Sequence, residues 1–293
     1  MIARVWGCRG SLPTPGEATV RYGGNTSCVE IRRAGRISLI LDAGTGIKRL
    51  GDELDPGLEV HVLLTHLHLD HVEGLRFFAP LWRREGRVHI WGPSSPVHSL
   101  EERIARSFSP PLFPVDLGDI PAEVQFHDVP DGTWELDGIR IAAHPVSHPG
   151  STVGFRLEHD GNSLAFIPDH EPVLGVDLAD LEPDWVSGHA VAHGVDVLIH
   201  DSQYSEAEYA DRVGWGHSSV GHAVGFAQKA RVGRLVLFHH DPDRSDAGVD
   251  VLTRQAAELW NGNGGPPPVA ACEGMTIDLD GTRHPVDHFD PRE

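Results

Sequence analysis

The stretch "LLTHLHLDHVEG", residues 63–74, puts three histidines and an aspartate into the six positions His66 to His71, straight after an apolar run. The run itself, "LEVHVLLTH", reads as a strand. Residues two apart on an extended chain share a side, so His66 and His68 point the same way. Asp70 and His71 follow where the chain turns toward a helix. Imidazole nitrogen suits zinc, manganese or iron, and a carboxylate adds a hard oxygen that these ions accept. Neighbouring ligands rarely complete a metal site, so more are expected at other strand ends. His148 in "PVSHPGSTVGF", Asp169 in "AFIPDHE" and His239 in "LVLFHHDP" all stand there, with His144 and His240 as nearby competitors.

Away from the cluster, the first 65 residues read as strands separated by Gly/Pro-rich turns, "SCVEIRR" and "ISLILDAG" among them. "VEGLRFFAPLWRRE" has helical periodicity, "RVHIWG" is a short strand, and "SLEERIARSF" is a helix capped by its serine. Strands return in "AEVQFHDV", "WELDGIRIAAHPV", "STVGFRLEHDG" and "SLAFIPDH", with a hairpin turn at "HDGN". Then come a strand "VDVLIHD", a helix "SVGHAVGFAQKA", a strand "RLVLFHH" and a helix "AGVDVLTRQAAELW". The tail reads as a loop, "NGNGGPPP", and a final strand and turn, "VAACEGMTIDLDG". Each half runs strands first and helices after. That order predicts an α/β chain in which two sheets pack face to face with helices outside, residues 1–293 forming one domain.

Composition narrows the function. No run of 18 apolar residues marks a membrane span, and the start lacks a secretory signal pattern. Cys8, Cys28 and Cys272 are odd in number and far apart, as expected of reduced thiols in a cytoplasmic protein. A formal charge of −19 is the wrong sign for gripping a long nucleic acid and favours a small substrate. "DAGTGIKRLG" invites a dinucleotide-binding reading, but Arg49 stands where a third glycine is needed, so a turn is expected.

The H-x-H-x-D-H pattern, the later histidine, the aspartate after a strand and the last histidine resemble the metallo-β-lactamase-fold hydrolases, in order, across nearly the whole chain. "GCRGSLPTPG", "YGGNTSCVE", "LILDAGTGIKRLG" and "GHSSVGHAVGFAQKARVGRLVLFHHDP" look most like the phosphodiesterase branch, which includes tRNA 3′-processing endonucleases and cyclic-phosphate diesterases. The resemblance implies a four-layer αββα sandwich and two divalent metal ions, zinc first, with manganese or iron as alternatives. It implies that His66, His68 and His148 hold one ion, that Asp70, His71 and His239 hold the other, and that Asp169 bridges them. The branch's spacing prefers His148 to His144 and His239 to His240.

The implied reaction is attack on a small phosphodiester, such as a cyclic nucleotide or cyclic phosphate, by a hydroxide held between the ions. Asp70 would ligate and handle a proton. His217 in "WGHSS" would stabilise the phosphorane or protonate the leaving oxygen. Its bland alternative is a neighbour of a helix cap formed by Ser218 or Ser219. His200 and Asp201 are open between support of the metal shell and a structural pair, and His170 and His240 between support and surface or substrate contact. The same metals would serve a lactonase, a thioesterase, a β-lactamase or a tRNA-processing nuclease, the last with a basic arm that the sequence does not display. The resemblance also implies a homodimer.

Overall fold

The computed structural model describes residues 1–260 and 265–279. Fourteen strands form two seven-stranded sheets among these residues. The first sheet holds β1 (Ile2–Gly7), β2 (Cys28–Arg33), β3 (Arg36–Leu41), β4 (Glu59–Leu63), β5 (Arg87–Gly92) and β6 (Glu123–Asp128). The second holds β7 (Thr133–Leu136), β8 (Ile139–Pro145), β9 (Val153–His159), β10 (Asn162–Ile167), β11 (Val197–Asp201), β12 (Arg234–Phe238) and β13 (Val269–Ala270). β14 (Thr276–Asp278) crosses back to pair with β1, giving the orders β14-β1-β2-β3-β4-β5-β6 and β13-β12-β11-β10-β9-β8-β7.

Inward-facing Val5, Leu39, Leu41 and Leu63 of one sheet and Phe155, Phe166, Ile199 and Phe238 of the other make the layer between them. Phe166 and Phe238 meet edge to face at 5.6 Å. Each outer face carries its own apolar cluster under helices. On the first sheet these are α1 (Ile47–Glu53), the short α2 (Leu69–Val72) and α3 (Leu100–Ala105). On the second they are α4 (His189–Ala192), α6 (Val220–Lys229) and α7 (Asp246–Leu259), with the short α5 (Glu206–Tyr209) after β11. Helix, sheet, sheet, helix is the expected sandwich.

The local start signals are legible in the caps. Ser99 and Glu102 form a reciprocal capping box on α3, and Ser219 and Ser245 cap α6 and α7. Three elements depart from the sequence reading. "VEGLRFFAPLWRRE" is no continuous helix: after α2 come two 3-10 turns, Glu73–Phe77 and Ala79–Trp82, with Pro80 in the second, where it removes an amide donor and blocks the preceding turn. "WELDGIRIAAHPV" is two strands, because Asp137 and Gly138 both take positive φ and turn the chain into a hairpin. The single strand expected at the end is two short strands, β13 and β14, one in each sheet. Residues 261–264 of the expected loop and the last residues of the final turn lie outside the described residues.

The topology decides where chemistry gathers. β3 and β4 run parallel, as do β10, β11 and β12, and β8 runs the same way because β9 is antiparallel to both β8 and β10. Their C-terminal ends deliver Asp42, His66, His148, Asp169, Asp201 and His239. The ends of parallel strands open into loops, where side chains can converge without breaking a ladder.

Candidate metal centre

Two groups of ligand atoms meet at these strand ends. His66, His68 and His148 form one; Asp70, His71, Asp169 and His239 form the other. Asp169 stands between them. Its Oδ2 faces His66 Nε2 at 3.7 Å and His148 Nε2 at 3.6 Å, while Oδ1 faces His71 Nε2 at 3.0 Å and His239 Nε2 at 3.3 Å. Asp70 Oδ2 lies 3.1 Å from His71 Nε2 and 3.2 Å from His239 Nε2. Every residue that the H-x-H-x-D-H pattern and its downstream partners singled out is therefore here. His144 is exposed on β8, and His240 turns into the core, donating from Nε2 to the Ala271 carbonyl at 2.9 Å.

The far side of each ring fixes which nitrogen looks inward. A backbone carbonyl or carboxylate only accepts, so the ring nitrogen against it carries the proton. His71 Nδ1–H donates to Asp42 at 2.7 Å, His148 Nδ1–H to the Gly216 carbonyl at 2.8 Å, and His239 Nδ1–H to Gln203 Oε1 at 3.1 Å. His66 Nδ1 pairs with Thr65 Oγ1 at 3.1 Å, and His68 turns Nδ1 to within 3.1 Å of His148 Nε2. In the neutral ring the inward Nε2 of His66, His71, His148 and His239 is then the nitrogen that carries the lone pair a metal ligand requires.

Those lone pairs and two carboxylates face one another in a dry place. Buried His66 Nε2, His71 Nε2 and Asp169 Oδ1 have no hydrogen-bond partner of acceptable geometry. Buried acceptors aimed at buried acceptors are costly unless a cation lies between them. The protonation pattern carries the same message. Burial by itself would lower the His71 pKa, but Asp169, Asp70 and Asp42 overcome it and hold it well above the ordinary value. Burial would raise Asp169, yet His239, His71 and His66 pull it well below the carboxylate range. Around His71 and Asp169 a field that draws protons also favours a divalent cation, while burial lowers His66, His68 and His148 and keeps those rings neutral, and the nitrogen and oxygen donors fit such an ion.

Backbone strain and close approach complete the cradle. Asp42 and His239 adopt φ of 57° and 60°, a left-handed conformation that non-glycine residues enter at a cost and keep only where the surroundings enforce it. The Ser11 amide donates to Asp70 Oδ2 at 2.7 Å. Gly10 brings that loop in: a Cβ there would lie 2.3 Å from His239 Nδ1.

His217 stands beside the cluster, its ring stacked on His239 at 4.9 Å and edge-on to His148 at 5.1 Å. Nδ1–H donates to Asp201 at 2.7 Å. Burial works against its charge, but Asp201 outweighs that, and with Asp169 and Asp70 raises the pKa to about 9. Ser219, not His217, caps α6. Asp201 is fully buried and also accepts from the His170 and Gln203 amides, so it braces His217. His200 donates from Nδ1 to the Asp201 carbonyl and accepts from His170 Nδ1–H at 2.9 Å. That pair is a buried link, and the His170 ring packs edge-on to Phe226.

Sequence reasoning passed over four supports: Asp42, Thr65, Gln203 and the Gly216 carbonyl. Asp42 had a readable signal, since it follows an apolar strand just as Asp169 does. It accepts from Ser27 and Thr65 as well as His71. Another trio, Glu59, His61 and His89, also converges. There Trp91 Nε1–H donates to His61 Nδ1 at 3.2 Å, which leaves the proton on the nitrogen turned to Glu59. It is a hydrogen-bonded ladder.

An αββα sandwich with this histidine and aspartate cluster at its strand ends defines a metallo-β-lactamase-fold hydrolase. The chain belongs to the beta-lactamase superfamily, whose domain model matches residues 39–240, and it is a metal-dependent hydrolase. Among its relatives is the ribonuclease Z of Myxococcus xanthus, 26% identical over 284 residues that cover 82% of this chain and 88% of that protein. A diphosphatase from the PhnP family shares the fold with a TM-score of 0.67 at 18% identity, covering 94% of this chain and 97% of its own. So does the Zn2+-bound PqqB of Methylobacterium extorquens, with a TM-score of 0.65, 21% identity and coverage of 95% and 100%.

Proposed function

We propose that this chain is a dinuclear metal-dependent phosphodiesterase acting on a small phosphodiester, such as a cyclic nucleotide or another cyclic phosphate. The observation that carries the reading is Asp169, whose two oxygens each face a separate set of histidines. In this reading His66, His68 and His148 would hold one ion, Asp70, His71 and His239 would hold the second, and Asp169 would serve both. Zinc is the proposed occupant, and manganese or iron fits the same donors. When bound, such a pair supplies a water acidified to near neutrality and a clamp on the phosphoryl oxygens.

The chain's own residues do the rest. His217, fixed at Nδ1 by Asp201, offers Nε2–H to the leaving oxygen or to charge building on phosphorus. Asp70, held by the Ser11 amide, keeps an oxygen toward both His71 and His239 and is placed to orient the nucleophile. Three buried unpaired cysteines go with a proposed cytoplasmic location, and none of the described helices is long and apolar enough to cross a membrane. A homodimer remains part of the proposal.

A second reading, tRNA 3′ processing, draws on the likeness to ribonuclease Z. The net charge of −19 favours the small substrate. The deciding experiment is hydrolysis of bis(p-nitrophenyl) phosphate after chelation and again after restoring zinc or manganese, with precursor tRNA, a lactone and a thioester in parallel. Metal-restored diesterase activity above the other three supports the proposal. Turnover of the lactone or thioester alone refutes it, and preference for precursor tRNA selects the second reading.

A further inference from the structure

The loop that carries His217 reads "VGWGH", and its tryptophan is 60% exposed. An exposed indole leaves a large apolar surface in water, yet this one is held with unusual care. Gly214 and Gly216, on either side of Trp215, take φ of 85° and 87°, where other residues are strained. Both of their amides donate to one fully buried carboxylate, Glu171, at 2.8 Å each. The Tyr209 hydroxyl donates to the same carboxylate at 2.7 Å, and the Trp215 amide donates to the Arg212 carbonyl at 3.0 Å. The Arg212 guanidinium lies 5.9 Å from the indole and 5.0 Å from the Tyr204 ring, and it donates to the Glu208 carbonyl. The next residue, Gly216, orients the His148 ring through its carbonyl. The backbone of Trp215 is thus rigid and adjacent to the cluster, while most of its ring is open to solvent.

We propose that Trp215 is a stacking platform for a planar ring of the substrate, a nucleobase, beside the phosphate-handling centre. The proposal rests on the phosphodiesterase reading and narrows it to nucleotide substrates. A rigid aromatic face costs little entropy when a ring settles on it, and base–aromatic stacking tolerates any base. Arg212 against the ring adds a cation–π partner at a fixed distance.

The test compares binding of adenosine 5′-monophosphate and ribose 5-phosphate to the zinc-loaded protein by calorimetry, so that it needs no turnover. The nucleotide is expected to bind roughly tenfold tighter, the effect of one base–aromatic stack. Trp215→Ala should erase that difference and leave ribose 5-phosphate unchanged, and Trp215→Phe should restore most of it. In kinetics, Trp215→Ala should raise KM for a nucleoside 2′,3′-cyclic phosphate about tenfold with kcat held within twofold, and leave glycerol 1,2-cyclic phosphate untouched. Equal affinity for the two ligands, a difference that survives Trp215→Ala, or equal weakening of both overturns the platform. Absence of diester turnover would instead refute the phosphodiesterase reading, with the binding comparison still deciding the platform.

Discussion

Asp201→Asn removes a charge while keeping the shape around His217. The wild-type carboxylate accepts three N–H groups: His217 Nδ1 at 2.7 Å and the His170 amide at 3.1 Å on Oδ2, and the Gln203 amide at 3.0 Å on Oδ1. An asparagine accepts on one oxygen only. With two donors on the Oδ2 side, its oxygen settles there, so His217 keeps a neutral hydrogen bond and the Gln203 N–H loses its partner. Passing from a charged to a neutral acceptor costs about 1–2 kcal/mol of hydrogen bonding, and a buried orphan N–H costs about 1–3 kcal/mol of stability. The first quantity predicts a fall in kcat of roughly 5- to 30-fold. His217→Ala, which removes the group altogether, should cost about a hundredfold with metals retained. Because Asp201 acts through His217, adding Asp201→Asn to His217→Ala should slow the enzyme no further. The assay is steady-state cleavage of bis(p-nitrophenyl) phosphate by zinc-restored protein, with metal content measured on the same samples. A wild-type rate in Asp201→Asn, or additive losses in the double variant, would refute the bracing argument. Loss of metal in step with rate would move Asp201 into the support of the ligands.

Asp42→Asn should weaken metal binding roughly 10- to 100-fold by giving His71 Nδ1–H a neutral acceptor in place of a charged one, with the fold intact by circular dichroism; unchanged affinity in a chelator competition counts against the bracing of His71 by Asp42. Asp169→Ala should retain fewer than two ions per chain and lose activity with at least one metal, whereas full occupancy by mass spectrometry would overturn the bridging role. His200 is buried, and burial lowers its pKa to about 4. The unfolded chain therefore takes up the proton first, so this group costs nothing above pH ~6.5 and destabilises by about 3 kcal/mol in all as pH falls from there to about 4. Urea unfolding of metal-free protein at pH 7 and 4.5 should show a drop shallower by about 2–3 kcal/mol in His200→Gln, and equal drops would remove His200 as a cause.

Ligands and supports differed in how far the sequence revealed them, and geometry explains the difference. A candidate ligand supplied by a strand end leaves a local trace, an apolar run followed by His or Asp, so His66, His148, Asp169 and His239 were readable one at a time. Convergence was not local: it needs β8 to run with β10 and the two sheets to align at one edge, and only the family's order supplied that expectation. The supports carry weaker traces still. Gln203 lies two residues beyond β11 and reaches His239 across the sheet, and Gly216 contributes a carbonyl, which any residue type could present. Glu171 has the most misleading appearance, an acidic residue beside a ligand in "PDHEP" that invites a metal-binding reading. Its carboxylate instead accepts from the amides of Gly214 and Gly216. Buried charge in this protein thus has two uses with one physical origin. Where donors surround it, as at Glu171 and Asp201, it holds backbone and His217 in place; where lone pairs surround it, as at Asp169, it calls for a cation.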